Sequence, residues 1–129
     1  MPRTVEDLVA EARSRIREIS LEDLVDTLAG DLVLVDVREP DEYAQGHLPG
    51  AVNLPRGVLE FQIHAHPAMT CVADAALAEP SRRMVLYCRT GGRSALAADS
   101  LRQLGFTDVC SLAGGFEAWR NADLSVSME

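Results

Sequence analysis

The sequence predicts an α/β domain built on a mostly parallel, twisted sheet with helices on both faces. Three observations predict it. Leu32-Val33-Leu34-Val35 and Met84-Val85-Leu86-Tyr87 are short, continuous apolar runs, the pattern of parallel strands covered on both faces. Amphipathic stretches with three- and four-residue apolar spacing lie around them, and strands alternating with helices require right-handed crossovers. A chain of 129 residues, 47% apolar and 25% charged, is the size and composition of one globular domain with a single core.

Val5, Leu8, Val9, Ala12, Ile16 and Ile19 recur at helical spacing behind the capping pair Thr4 and Asp7, so residues 1–19 are expected to form an N-terminal amphipathic helix. Its apolar stripe can cover the domain's own flank or a second subunit, and intrachain packing is the expectation. Ser20 starts a second helix with Asp23 in its cap, Leu21, Leu24, Val25 and Leu28 on one face, and Gly30 as its stop. The run Leu32-Val33-Leu34-Val35 then reads as a strand at the centre of the sheet. Pro40 suits the first turn of a short helix through Tyr43 and Ala44, ended by Gly46. Ala51-Val52-Asn53 is a short strand closed by Pro55 and Gly57.

Residues 58–80 are less legible. Leu59, Phe61 and Ile63 alternate, yet Leu59 and Ile63 also fit a helical turn, and residues 73–77 read as a separate short helix. So long a connector is usually functional or mobile. His64 and His66 read as loop histidines and Cys71 as a spectator thiol. Further on, Ala97, Leu101 and Leu104 form the stripe of a helix ended by Gly105. Val109-Cys110-Ser111-Leu112 is the last strand, with Cys110 inert against the core. Gly114-Gly115 turns into a final helix whose Trp119 plugs the end of the core, and residues 123–129 are a C-terminal tail.

The chemistry concentrates in Cys88-Arg89-Thr90-Gly91-Gly92-Arg93-Ser94, between the strand ending at Tyr87 and the helix that follows. A cysteine at a strand's carboxyl end, entering a helix, faces backbone N–H groups and the positive end of the helix dipole. Arg89 and Arg93 add positive charge, and thiolate rather than thiol is the nucleophile. Gly91 and Gly92 are expected to turn the loop with positive φ and make its amides converge. On that reading Gly92→Val blocks the required backbone conformation.

Composition narrows the partners. A net charge of −8 argues against nucleic acid, although the loop arginines can still attract a small anion locally. The three cysteines, Cys71, Cys88 and Cys110, show no C-x-x-C spacing, and their odd number points to a reducing, cytoplasmic setting. No apolar run approaches a membrane span. Arg3, Arg13, Arg15 and Arg17 have the look of a presequence, but Glu6, Asp7, Glu11 and Glu18 argue against one. Asp36, Glu39, Asp41 and Glu42 crowd after a strand, yet Arg38 in their midst is wrong for a hard-cation cage, so no metal is expected.

Four segments together carry a resemblance. The loop from Cys88 to Ser94 resembles the active-site loop of single-domain rhodaneses, which are sulfurtransferases. Val35-Asp36-Val37-Arg38-Glu39 is similar to that family's first signature and the segment from Gly46 to Pro55 to its second. The segment from Leu112 to Trp119 is similar to the closing one. The resemblance covers residues 20–122 and implies a rhodanese-like domain of about five strands with Cys88 as catalytic nucleophile. It implies that Arg89, Thr90, Gly91, Gly92, Arg93 and Ser94 bind substrate. Asp36 and Arg38 would hold the loops together by charge-assisted hydrogen bonds, with Glu42 as a partner for Arg38. His47 braces its loop by donating a hydrogen bond. Arg93 either orients an anionic donor with Arg89 or points back to a carboxylate.

The implied reaction moves a sulfane sulfur from thiosulfate or a persulfide to a thiophilic acceptor, cyanide in an assay or a thiol in the cell, through a Cys88 persulfide. It needs no cofactor. Partners would be small-molecule donor and acceptor, a sulfur-relay protein among the alternatives, with the chain a monomer or homodimer. Two other readings stand beside it. One is a non-catalytic module that only carries or reports sulfur. The other is a cysteine-dependent phosphatase, although the four residues between Cys88 and Arg93 make this loop one residue tighter than the phosphatase pattern.

Overall fold

The computed structural model describes residues 2–30, 32–63 and 83–128. His64, His66, Cys71 and the short helix expected at 73–77 lie outside the described residues. Five strands, β1 (Arg17–Ile19), β2 (Val33–Asp36), β3 (Val52–Asn53), β4 (Met84–Tyr87) and β5 (Val109–Leu112), form one sheet in the order β1-β5-β4-β2-β3. Every pairing is parallel. The described helices are α1 (Val5–Arg15), α2 (Leu21–Thr27), α3 (Pro40–Ala44), α4 (Leu59–Gln62), α5 (Gly92–Gln103) and α6 (Gly115–Asn121). None of them is long and apolar enough to cross a membrane.

Alternation along the strands splits the core between the two faces. Val33, Val35, Met84 and Leu86 pack with Ala97 and Leu101 of α5, and Cys88 joins that cluster. Leu34, Val85 and Tyr87 face the other way, against Leu24 of α2 and Phe116 and Trp119 of α6. All four residues of β2 and of β4 are buried, which explains their unbroken apolar runs. Trp119 closes its end of the core as expected, 4% exposed with Nε1 donating to Ser125 O at 2.8 Å.

The first helix is shorter than its spacing suggests. Thr4 and Asp7 form the expected capping box, but α1 stops at Arg15, and Arg17–Ile19 add an edge strand to β5 in register Arg17↔Cys110, Glu18↔Ser111 and Ile19↔Leu112. Ile16 and Ile19 continued the helical period by coincidence, and strand pairing overrode it. The helix does pack within the chain: Ala12 is fully buried and Arg15 makes a two-bond contact with Asp99 of α5 (Nε–Oδ1 3.1 Å, Nη2–Oδ2 2.8 Å). Stripes elsewhere are also narrower than read. Val25, Leu28 and Leu104 are exposed, leaving Leu24 in α2 and Ala97 and Leu101 in α5 as the buried positions.

The central strand is β4, with β2 beside it rather than at the middle. From β2 the chain moves outward to β3, then returns past β2 to β4 and β5. The carboxyl ends of β2 and β4 therefore flank the point where the chain reverses direction across the sheet, the place where open α/β sheets bind ligands. The final residues are tied down rather than trailing, since Ser127 forms an antiparallel bridge with His47.

Candidate active site

Cys88 follows β4 directly, and its Sγ is the convergence point of the next turn. Gly91 N donates to Sγ at 3.1 Å and Ser94 N at 3.4 Å, while Ser94 Oγ lies 3.6 Å away. Gly91 has φ +117°, a conformation open to glycine, and this turn aims its own N–H back at the sulfur. Gly92 differs from the sequence reading. It sits inside the first turn of α5 with ordinary φ, and a Cβ there would meet only Val9 Cγ2 at 3.7 Å. One glycine makes the turn, and the other merely begins the helix.

The thiol is nearly closed off, 1% exposed, yet it forms part of the lining of a cavity of about 480 Å³ between the loop and α1. Burial pushes the Cys88 thiol up. The Ser94 hydroxyl and the amides of Ser94, Gly91 and Thr90 more than offset this and hold it below its ordinary value of 9.0. The sulfur is thus stabilised as thiolate by hydrogen bonds and by the N-terminus of a twelve-residue helix. Cys110, on β5, has the opposite balance: burial pushes its thiol up.

The hydroxyl layer continues behind the loop. Ser94 Oγ is 2.7 Å from Ser111 Oγ on β5, and both residues are fully buried. Ser111 went unremarked in the sequence, where it reads as an ordinary strand residue. Its only signal is a hydroxyl in a strand whose neighbours are apolar. The turn into α6 is a second buttress. Phe116 N donates to Cys88 O at 2.8 Å and Glu117 N to Arg89 O at 3.0 Å. This close approach requires Gly115, because a Cβ there would stand 2.5 Å from Cys88 O and 2.7 Å from Arg89 O.

Both loop arginines are engaged by carboxylates. Arg93 makes a two-bond contact with Glu42 (2.8 and 3.1 Å), and Arg89 Nε donates to Glu117 at 2.8 Å. Glu42 is therefore the partner of Arg93, not of Arg38 as the sequence suggested. The Arg93 guanidinium lowers the Glu42 carboxyl from 4.5 to about 2. Arg38 is instead taken by Asp36 (Nε–Oδ1 3.0 Å, Nη2–Oδ2 2.8 Å) and by Gly46 O at 2.7 Å, with both charged groups buried. This pair ties the carboxyl end of β2 to the loop after α3. His47 is 2% exposed, its Nδ1 2.9 Å from Tyr43 O, which can only accept, and its ring stacks on Tyr43 at 3.7 Å. The contact ties the loop after α3 back to that helix. Among the described residues no cluster of acidic, histidine or cysteine side chains has the arrangement of a metal site.

Residues 20–122 match the rhodanese-like domain family model. A sulfurtransferase of Allochromatium vinosum is 35% identical over 113 residues, covering 86% of this chain and 94% of its own. The thiosulfate sulfurtransferase GlpE of Pseudomonas entomophila is 34% identical over 108 residues, covering 84% and 88%. Among solved structures, a Rhodopseudomonas palustris protein of unknown function, described as a possible tyrosine phosphatase, superposes with TM-score 0.82 at 33% identity over 98% of this chain and 96% of that one. A human single-domain sulfurtransferase superposes with TM-score 0.69 at 33% identity over 81% and 95%.

Proposed function

The chain belongs to the rhodanese-like domain family, and from that premise we propose that it transfers a sulfane sulfur through a persulfide on Cys88. The observation that carries the proposal is the pair of backbone amides donating to Sγ, at 3.1 and 3.4 Å, from the turn that opens α5. They favour the thiolate before reaction and the anionic persulfide after it. In the first half-reaction the Cys88 thiolate attacks the outer sulfur of thiosulfate. The new S–S bond forms as the old one breaks, and the bonding pair leaves on sulfite, so three negative charges enter and three remain. In the second, an acceptor such as cyanide attacks the outer sulfur of the persulfide and leaves as thiocyanate, returning Cys88 as thiolate. The two halves share one enzyme form, so ping-pong kinetics follow.

Two features weigh against phosphoryl transfer, the activity suggested for the Rhodopseudomonas neighbour. The loop is one residue shorter than the phosphatase pattern, and Arg93, which would have to clamp phosphate, is held by Glu42. The test is steady-state thiocyanate formation from thiosulfate and cyanide, together with intact mass after thiosulfate alone. Addition of one sulfur at Cys88 with turnover, and neither in Cys88→Ser, is the expected result. A persulfide that forms but never turns over would replace catalysis with sulfur storage, and aryl phosphate hydrolysis lost in Cys88→Ser would replace it with phosphatase chemistry.

A further inference from the structure

Helix α1 lies outside the matched family region, which begins at residue 20, yet it walls the cavity that leads to Cys88. Val9 and Arg13 of α1 face Cys88, Thr90 and Arg93 across it. The wall is fixed. Ala12 is fully buried, and the Arg15–Asp99 contact clamps α1 onto α5, the helix whose N-terminus holds the sulfur.

Arg13 is the cation this arrangement presents to a ligand. A Cβ on Gly91 would lie 3.3 Å from Arg13 Nη2, so the guanidinium hangs over the turn that donates to Sγ. Arg93, on the same wall, is held by Glu42 through two hydrogen bonds at 2.8 and 3.1 Å, and Arg89, paired with Glu117 at 2.8 Å, lines a different cavity. Among the described residues Arg13 has a looser pairing, Nε to Glu18 at 3.4 Å, between side chains that are 45% and 36% exposed. Such an exposed pair is worth little and is readily exchanged for a ligand anion. The cavity volume of about 480 Å³ falls within the roughly 300–1,000 Å³ of organic-ligand sites and is more than a thiosulfate ion needs. Its wall combines apolar Val9 and Leu96 with the Arg13 charge.

Building on the sulfur-transfer reading, we infer that Arg13 is a specificity-determining residue that selects an organic thiol or persulfide bearing an anionic group, seating that group against α1 while its sulfur meets Cys88. In the acceptor step an organic thiolate attacks the outer sulfur of the Cys88 persulfide. The S–S bond to Cys88 breaks and its electron pair returns to Cys88, so the acceptor leaves as a persulfide and no oxidant is required. Glu6, on the same wall, acts in the opposite sense and disfavours anions.

The experiment loads the full-length protein with thiosulfate, confirms one added sulfur by mass, and measures transfer to 3-mercaptopropionate, 2-mercaptoethanol and cysteamine. Wild type is expected to prefer the anionic acceptor. Arg13→Gln should raise KM for 3-mercaptopropionate roughly threefold to tenfold, the scale of one partly exposed charged contact, with little change in kcat. Arg13→Lys should restore most of the preference, and Glu6→Gln should strengthen it. Both positions are exposed, so folding is not at stake. If wild type fails to load sulfur, the sulfur-transfer reading falls and this inference with it. If it loads but uses the three thiols alike, or Arg13→Gln keeps the wild-type KM, the sulfur-transfer reading survives and the role of Arg13 is overturned.

Discussion

Ser111 Oγ lies 2.7 Å behind Ser94 Oγ, and Ser94 in turn contacts the Cys88 sulfur at 3.6 Å. A hydroxyl has one proton to give. With Ser111 donating to Ser94, the one Ser94 proton is divided between Gly91 O at 3.3 Å and the Cys88 sulfur, so a residue on β5 tunes a sulfur it does not touch. Ser94→Ala should raise the Cys88 pKa and slow persulfide formation near neutral pH by about tenfold to a hundredfold, the scale of one hydrogen bond to a charged group. Ser111→Ala should move the same pH profile in the same direction by less. An unmoved profile in Ser94→Ala would remove the hydroxyl from the site's electrostatics.

The glycines of the loop are not equivalent. Gly91 has φ +117° and Gly92 does not, so Gly91→Ala should cost about 1–3 kcal/mol of strain and depress activity, whereas Gly92→Ala should leave both near wild type. Gly115→Ala should be the worst of the three, because its Cβ would stand 2.5 Å from Cys88 O and push the loop away from α6. Thermal unfolding and thiocyanate formation, measured on all three variants, give the order directly. Equal damage from Gly92→Ala would contradict the backbone described here.

Asp36 and Arg38 are a buried ion pair, 0% and 5% exposed, whose free lone pairs and protons are answered by the Arg38 amide and Gly46 O. Removing one partner strands the other's charge in the core. Asp36→Asn and Arg38→Met should each cost about 3–5 kcal/mol in denaturant unfolding, and the double replacement should cost less than the sum. Additive losses would show that the two side chains act separately.

What the sequence made legible follows the local physics. The apolar runs of β2 and β4 are unambiguous because both faces of those strands are covered, and the strand–loop–helix around Cys88 announces itself by glycine and charge. Strand β1 was hidden because Arg17-Glu18-Ile19 is too short and too exposed to show a period and continues the spacing of α1. Which carboxylate meets which arginine was hidden for another reason: Glu42 and Arg93 are 51 residues apart, and only the fold brings them together. Ser111 and Arg13 belong to the same class, since each acts across the fold on a loop remote in sequence.

The Glu42–Arg93 pair makes a specific pH prediction. Glu42 is lowered from 4.5 to about 2 by the Arg93 guanidinium, so its contribution to stability is complete above about 4.5 and is lost as pH falls through about 2. Wild type should exceed Glu42→Gln in stability by about 0.5–1 kcal/mol at neutral pH, a modest amount because both side chains are about one-third exposed, 34% and 37%. Unfolding measured across pH 2 to 7 should show the two curves converging only at the acid end. A gap that closes already near pH 4.5 would mean that Glu42 titrates as a free carboxylate.

The two described free cysteines should separate cleanly by pH. Hydrogen bonds from the Ser94 side chain and from the Ser94, Gly91 and Thr90 amides outweigh the burial that pushes Cys88 up, and its thiol ends below 9.0. Cys110 is pushed above the same value, by burial first. Because the Cys88 thiol is lowered on folding, the associated stabilisation is complete above the unfolded thiol range and is lost as pH falls through the folded value. Alkylation by iodoacetamide, followed cysteine by cysteine by peptide mass across pH 5 to 10, should reach half its limiting rate at lower pH for Cys88 than for Cys110. Prior treatment with thiosulfate should alter the product only at Cys88, because persulfide formation requires the thiolate that the loop amides stabilise. Were Cys110 to ionise first, the amides converging on position 88 would not be governing its charge, and the nucleophile would have to be sought elsewhere.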